Sequence, residues 1–380
     1  MRVAALVSLL LSPLTLRGTT FHNRVWLAPM CQYSAGADGV PTDWHLVHLG
    51  ARATGGFGLV LTEATAVVPE GRISPQDVGI WNDEQVAAWR RITDFVRARG
   101  AHSGIQLAHA GRKASTFRPF GEGRGTVPVD QGGWTAVGPT TDPFTGYAAP
   151  HELTEAEIQA VPGQFAQAAR RSLDAGFDVV EVHAAHGYLL HQFLSPLSNT
   201  RTDAWGGDLA ARARLLLDTV DAVRAVLPQD APLLVRVSAT DWTEGGLTGD
   251  DTAQVAVWLR EHGVDLVDVS TGGNVLATIP VAPGYQVPFA RQVRDTGIAS
   301  GAVGLITTPH QAEKVLSEGE ADVVLLGRPA LFDPSWPLRA ARELGDDTPV
   351  LAHEPGSADP AVAAGQGTGW VAQYGRGSWD

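Results

Sequence analysis

Short apolar runs alternate with longer stretches of helical period along most of this chain. Eight runs have the length and β-branched content of buried strands: Arg24–Pro29, Phe57–Thr62, His102–Leu107, Phe177–Val182, Pro232–Val237, Val264–Val269, Ile298–Val303 and Asp322–Leu326. The segments between them are mostly helical. Glu84–Arg99 places Val86, Trp89, Ile92, Phe95 and Val96 on one face. Thr154–Ala175 opens with the capping box Thr154-x-x-Glu157 and is stopped by Gly176, which suits a left-handed C-cap. Asp250–Glu261 and Pro309–Glu318 behave similarly. Strands that alternate with helices imply a parallel sheet, and eight of them predict an α/β fold of the (β/α)8 TIM-barrel type. A doubly wound sheet would announce its phosphate site by a Gly-rich turn after the first strand. Here that strand runs into Pro29-Met30-Cys31.

Two segments exceed a minimal barrel. Residues 113–151 form a Gly/Pro-rich insertion after strand three, too long for an idle connection and expected to cap the mouth. The tail, residues 351–380, is rich in Gly and Ala yet ends GWVAQYGRGSWD. The expected organisation is therefore a barrel over residues 1–350, cap included, followed by a C-terminal arm.

Composition narrows the function. With 44% hydrophobic and 18% charged residues, the chain has ample material for a core. A net charge of -13 argues against nucleic acid and anionic membrane surfaces as partners, since both need clustered Lys and Arg. No segment approaches the length of a membrane span. The start, MRVAALVSLLLSP, has an arginine and a short apolar run, but no small-residue cleavage site follows, so a cytoplasmic enzyme is expected. The one cysteine, Cys31, leaves no thiol for an intrachain disulfide or a cysteine-ligated zinc or iron–sulfur centre.

In a barrel of this kind chemistry sits at the C-terminal strand ends. Those ends supply Pro29-Met30-Cys31, Glu63-Ala64, Gln106, His183 with His186 and Tyr188, Arg236, Ser270, Gly304 and Gly327-Arg328. The glycines of the last two strands, with Arg328, suit a phosphate held by backbone N–H groups. Cys31, Gln106 and Arg236 add donors around the mouth. A planar, polar-edged ligand carrying a phosphate would fit, and flavin mononucleotide (FMN) has that shape, although the barrel alone does not select it. His183 and His186 could also be metal ligands, but the other ends offer Gln and Arg, not further ligands, so no metal centre is expected.

At these residues the chain resembles the Old Yellow Enzyme family, in its bacterial ene-reductase class with a cysteine beside the flavin. The resemblance is carried in order by SPLTLRG (Ser12–Gly18), NRVWLAPMCQYSA (Asn23–Ala35), TEATAV (Thr62–Val67), GIQLAHAGRKA (Gly104–Ala114), VHAAHGYLLHQFLSPLSNTRTDAWGG (Val182–Gly207), RVSATDW (Arg236–Trp242), GAVGLIT (Gly301–Thr307), LLGRPALFDP (Leu325–Pro334) and QYGRG (Gln373–Gly377). It covers essentially the whole chain.

The resemblance implies a non-covalently bound FMN, NADPH or NADH as reductant, and ping-pong reduction of the activated C=C bond of an α,β-unsaturated carbonyl compound. Carried over, Pro29, Met30 and Cys31 line the isoalloxazine, while Ala64 and Gln106 reach its pyrimidine edge. Arg236 lies near N1 and the C2 carbonyl, and Gly304, Gly327 and Arg328 hold the phosphate. His183 and His186 donate to the substrate carbonyl, hydride passes from flavin N5 to the β carbon, and Tyr188 protonates the α carbon. Cys31 and Tyr33 contact substrate. Arg376 is the arm's arginine, implying a homodimer or larger homo-oligomer in which it enters the neighbouring site. Ser378, between Gly377 and Trp379, departs from the family's tail. His191, His45, His48, Arg112 and Lys113 are expected to be structural or general entrance charges, and Arg201 and Asp203 to pair within their loop.

Overall fold

The computed structural model describes residues 8–121 and 123–346. Eight parallel strands close into a barrel in chain order: β1 Val25–Leu27, β2 Leu59–Ala66, β3 His102–Ala108, β4 Val179–Ala184, β5 Leu233–Ser238, β6 Leu266–Ser270, β7 Ala299–Ala302 and β8 Val323–Leu326. Pairing of Val324 with Val25 and of Leu326 with Leu27 closes the ring. Each expected run overlaps one strand. The largest departure is β2, which continues to Ala66 instead of ending at Thr62. A register shift between Leu61 and Ala64 lets it resume pairing with β3 at Ala64 and Gln106.

Every position of β4, β5 and β6 is buried, as strands covered by helices outside and by the barrel interior must be. The side chains that point inward change character with height. At the bottom Trp26, Leu59, Val179, Leu234, Leu266 and Val323 form an apolar plug. A hairpin of Leu14–Leu16 and Thr19–Phe21 closes it from below, with the Phe21 ring 4.7 Å from Trp26. One and two steps of period two further along the same faces, the interior turns polar: Gln106 on β3, Glu181 and His183 on β4, Arg236 and Ser238 on β5, Asp268 and Ser270 on β6, all buried.

The helices form as their local signals require. Asn82 and Gln85 cap Asp83–Arg97 reciprocally, and its Trp89, Ile92 and Val96 face the core. Phe95, expected on that face, is 40% exposed and lies against the bare backbone of Gly50 on helix Asp43–Thr54, where a Cβ would come within 2.7 Å of its ring. Thr154 and Glu157 cap Glu155–Asp174, and Gly176 follows at φ +84°. Among the described residues no helix is long and apolar enough to cross a membrane.

In the insertion after β3, Ala136 and Trp134 pack with Ala64 and Ala108 near the C-terminal ends of β2 and β3, and Val137–Gly138 pairs with His151–Glu152. Arg201, from the loop after β4, fastens it: Nη1 donates to the carbonyls of Pro139 at 2.9 Å and Leu153 at 2.8 Å, and Nε donates to Asp203 Oδ2 at 2.9 Å. That hydrogen bond is also the main reason the Asp203 carboxyl lies below its ordinary pKa. Residues 351–380, including Arg376, Ser378 and Trp379, lie outside the described residues. Arg201→Ala should lower stability by on the order of 2 kcal/mol, the scale for lost hydrogen bonds to a charged group. Amide exchange should accelerate first over residues 137–153; unchanged exchange there would remove the anchoring role.

Candidate active site

β4 delivers His183 at its last turn of pleat and then bends sharply. His186 adopts φ +58° and Gly187 φ +72°, so the chain doubles back and brings Tyr188 beside the histidines. The His183 ring centroid lies 5.2 Å from that of His186 and 5.0 Å from that of Tyr188, edge to face in both cases. The two imidazoles are oriented through different nitrogens. His183 Nδ1 accepts the Ala185 N–H at 3.2 Å, which places its proton on Nε2, the nitrogen left for a ligand. His186 Nε2 is 2.8 Å from Ser270 Oγ, so its remaining nitrogen is Nδ1. The Ser270 hydroxyl can donate to Nε2, which leaves the proton on Nδ1, or accept from it, and Gln286 Oε1 at 3.4 Å is a second acceptor for its proton.

Electrostatics keep all three groups neutral. Burial, then the Arg236 charge, drives both histidines well below their ordinary pKa. Burial also raises the Tyr188 phenol far above its own, with Cys31 and Tyr33 adding to the effect. The site therefore presents two neutral imidazoles and a neutral phenol.

The strained turn is held from two sides. Gly187 N–H donates to His191 Nδ1 at 2.9 Å, and His191 Nε2 lies 3.2 Å from Asp241 Oδ1. Asp241 Oδ2 accepts from Ser195 Oγ at 2.6 Å and from Leu247 N–H at 2.9 Å. Burial alone would raise the Asp241 pKa, but His191, Ser195 and the Leu247 N–H together bring it below the ordinary value. His191 is thus packed, as expected, and also braces the turn. On the other side Lys113 Nζ donates to the carbonyls of His186 at 2.9 Å and Gly273 at 2.8 Å. Its ammonium lies 5.2 Å from the Tyr188 ring centroid and 4.6 Å from that of Phe144. Burial, and secondarily Arg112, lowers its pKa to about 8. Of the two roles expected for Lys113, structural or entrance charge, its contacts are structural: it is turned inward and clamps two loops.

The remaining predicted residues, Gln106 apart, fall into two groups. Pro29, Met30, Arg236, Gly304, Gly327 and Arg328 line one cavity of about 660 Å³, within the roughly 300–1,000 Å³ of small-ligand sites. Arg236 Nε is 3.0 Å from Asp268 Oδ2. Gly327 opens the far end, since a Cβ there would meet only Met30 Sδ at 3.5 Å, and Arg328 beside it is exposed. Cys31, Tyr33 and Ala64 lie instead in an apolar cluster with Ala108, Ala110, Trp134 and Tyr188, so the cap's Trp134 reaches the same patch. Gln106 is buried and donates through Nε2 to Glu181 Oε1 at 2.8 Å. Glu63 fixes the backbone next to Cys31, accepting the Gln32 N–H at 2.7 Å while His45 Nε2 stands 3.1 Å away. Burial, then Asp77 and Glu63, pushes the Cys31 thiol up, so it stays protonated. Among the described residues no three His, Cys, Asp or Glu side chains group as metal ligands.

Glu181 and Asp268 escaped the sequence reading. Their signal was present: each is a lone acid inside an apolar strand, in the same period-two phase as His183 and Ser270.

Residues 9–347 match the sequence profile of the NADH:flavin oxidoreductase / NADH oxidase family. The chain is 48% identical over 343 residues to an NADPH dehydrogenase of Listeria innocua, covering 90% of this chain and 96% of that one. An old yellow enzyme homologue from Zymomonas mobilis shares the fold with a TM-score of 0.74 at 28% identity, over 88% of this chain and 92% of that one. A 2-naphthoyl-CoA reductase in complex with 2-naphthoyl-CoA gives a TM-score of 0.81 at 27% identity over 88% of this chain. The chain spans about half of that reductase, 52% of its length.

The turn's geometry is testable directly. A Cβ on Gly187 would stand 2.3 Å from the Gly273 carbonyl oxygen, at a backbone angle that already disfavours L side chains. Gly187→Ala should cost at least about 2 kcal/mol from left-handed strain and backbone displacement, read as a lower denaturant midpoint. A wild-type midpoint would mean that the Gly187–Gly273 seam is not tight.

Proposed function

The chain belongs to the NADH:flavin oxidoreductase / NADH oxidase family, the Old Yellow Enzyme family, and from that premise we propose that it is an FMN-dependent ene-reductase acting on α,β-unsaturated carbonyl compounds. The observation that carries the proposal is the set of three neutral donors, His183, His186 and Tyr188, with ring centroids about 5 Å apart at the mouth of a barrel that buries Arg236. The residues fit FMN by their chemistry. Arg236 offers a permanent cation for the end that gains negative charge, and the open position at Gly327, with Arg328 beside it and Gly304 in the same cavity lining, suits a phosphate. Pro29, Met30 and Cys31 supply an apolar edge, with Ala64 in the cluster beside Cys31 and Gln106 next to Ala64 across β2 and β3.

When bound, FMN supplies the hydride for the substrate's β carbon after taking one from NADPH or NADH. This chain's residues do the rest. His183 through Nε2 and His186 through Nδ1 donate to the carbonyl oxygen, and both bonds strengthen as enolate charge develops there. Because the donors are neutral and fixed by Ala185 and Ser270, they need no reorientation during reaction. Tyr188 keeps its phenolic proton and delivers it to the α carbon, while Tyr33 and Cys31 bound the substrate's far side. The ammonium of Lys113 near the Tyr188 ring stabilises the phenolate left behind. The neighbourhood of Cys31 and Tyr33 supports assignment to the class with a cysteine beside the flavin. Arg376 of a second copy would complete the pocket in a homodimer, and a cytoplasmic location fits a consumer of NADPH or NADH.

The protein should purify yellow, or take up added FMN stoichiometrically; colourless protein that refuses FMN would sink the proposal. In flavin-loaded protein, His183→Ala or His186→Ala should cut oxidation of the reduced enzyme by cyclohexenone by about 10²–10³-fold, the scale of a lost oxyanion donor. Tyr188→Phe should slow that half-reaction by at least about 10²-fold and leave reduction by NADPH nearly unchanged. Equal slowing of both halves would argue against Tyr188 as the proton source.

A further inference from the structure

Below the histidines the barrel buries more acid than base. Alternate strands of such a barrel share an interior layer, which brings together Glu181 of β4 and Asp268 of β6, both fully buried. Four groups face them. From β5 comes Arg236, with Nε 3.0 Å from Asp268 Oδ2. From β3 comes Gln106, whose Nε2 donates to Glu181 Oε1 at 2.8 Å. Above on β4 stands His183, held neutral by burial, and the apolar plug lies beneath. Two carboxyls therefore share one guanidinium.

A buried carboxylate with no cation costs several kcal/mol, and like charges in one site do not both ionise. Asp268 has the guanidinium, whereas Glu181 has only a neutral amide. Glu181 is thus the acid that keeps a proton. The proton belongs on Oε2, because Oε1 accepts from Gln106 and Oε2 has no protein partner among the described residues. Burial first, then Asp268, lifts the Glu181 pKa to about 8, against the smaller opposing pull of Arg236 and Gln106.

We propose that Glu181 is a positioning and charge-balancing residue for the cofactor: it turns the Gln106 amide so that its carbonyl is the group left for the ring, and in alkaline solution, where it is ionised, it takes up a solvent proton when reduction adds negative charge above Arg236. The inference rests on the FMN reading of the cavity. Its sign follows from linkage. Near pH 7 Glu181 is protonated whether the cofactor is oxidised or reduced, so it exchanges nothing. Above pH 8 it is ionised in the oxidised enzyme. Added negative charge nearby then raises its affinity for a proton, and reduction draws one from solvent to give the neutral acid.

The test counts protons. FMN-loaded wild type and E181Q are reduced by dithionite in weak buffer with a pH indicator, near pH 7 and near pH 9. At the lower pH the two should take up equal numbers. At the higher pH wild type should take up more, approaching about one extra proton per flavin, while E181Q lacks the increment. A third variant, E181L, removes the hydrogen bond to Gln106 as well, and should bind FMN at least tenfold more weakly than E181Q. Equal uptake by wild type and E181Q near pH 9, in protein that binds FMN and reduces cyclohexenone, overturns the charge-balancing role and leaves the enzyme reading intact. FMN affinity in E181L matching that of E181Q overturns the positioning role. Failure of wild type to bind FMN at all defeats both readings.

Discussion

A guanidinium inside a closed β-barrel is tolerable only where its charge is answered, and Asp268, with Oδ2 3.0 Å from Arg236 Nε, answers it. The pair decides where the dry half of the barrel ends. Below it lie Trp26, Leu59, Leu234 and Val323, and above it every inward position on β4 to β6 is polar. Taking a charged group out of water costs several kcal/mol unless a partner sits close in good geometry. The barrel supplies a close partner by strand register, Arg236 and Asp268 being direct neighbours across β5 and β6, although Nε and Oδ2 meet as an ion pair without hydrogen-bond alignment. The same register sets His183 beside Arg236 on the other flank, which helps keep the imidazole uncharged.

A second constraint is backbone shape. Three neutral donors can converge only because His186, Gly187 and Gly273 adopt positive φ, and such angles persist only when surroundings over-determine them. Lys113 bridges the carbonyls of His186 and Gly273, and the His191–Asp241 pair holds the Gly187 N–H from behind. These groups touch the site through its backbone. Rigidity is then concentrated in the turn between β4 and the short helix Leu189–Leu194, where a small displacement would part the rings.

Much of this was legible in residue patterns, for identifiable reasons. Buried parallel strands leave apolar runs, so all eight could be placed, and Thr154 with Glu157 marked a helix start because capping is local chemistry. His183, His186 and Tyr188 stood out because three polar rings follow a buried strand within six residues. What depended on closure was not legible. The continuation of β2 to Ala66 needs a register shift that only pairing with β3 defines, and Phe95 left its expected face because Gly50 opened a seat on a neighbouring helix. Lys113 could be placed only as structural or an entrance charge, because nothing local reveals that two carbonyls from distant loops will meet its ammonium. Glu181 and Asp268 were visible as lone acids, but their meaning lies in the counting of charges across three strands.

That count also bears on the kind of substrate the site accepts. Arg236 is matched by Asp268, Glu181 carries its own neutralising proton, and the ammonium of Lys113 is directed at two backbone carbonyls. Among the described residues of one subunit no unmatched cation is therefore left beside His183 and His186 to reward a carboxylate, which would have to be stripped of water for neutral donors alone. A neutral carbonyl suffers no such penalty, and its oxygen gains charge only as the reaction proceeds. Donors that bind weakly at first and strongly at the transition state favour turnover over tight ground-state binding. Two neutral imidazoles held by Ala185 and Ser270 have that property in the proposed reaction, whereas imidazolium ions in the same positions would over-stabilise the enolate before it is protonated.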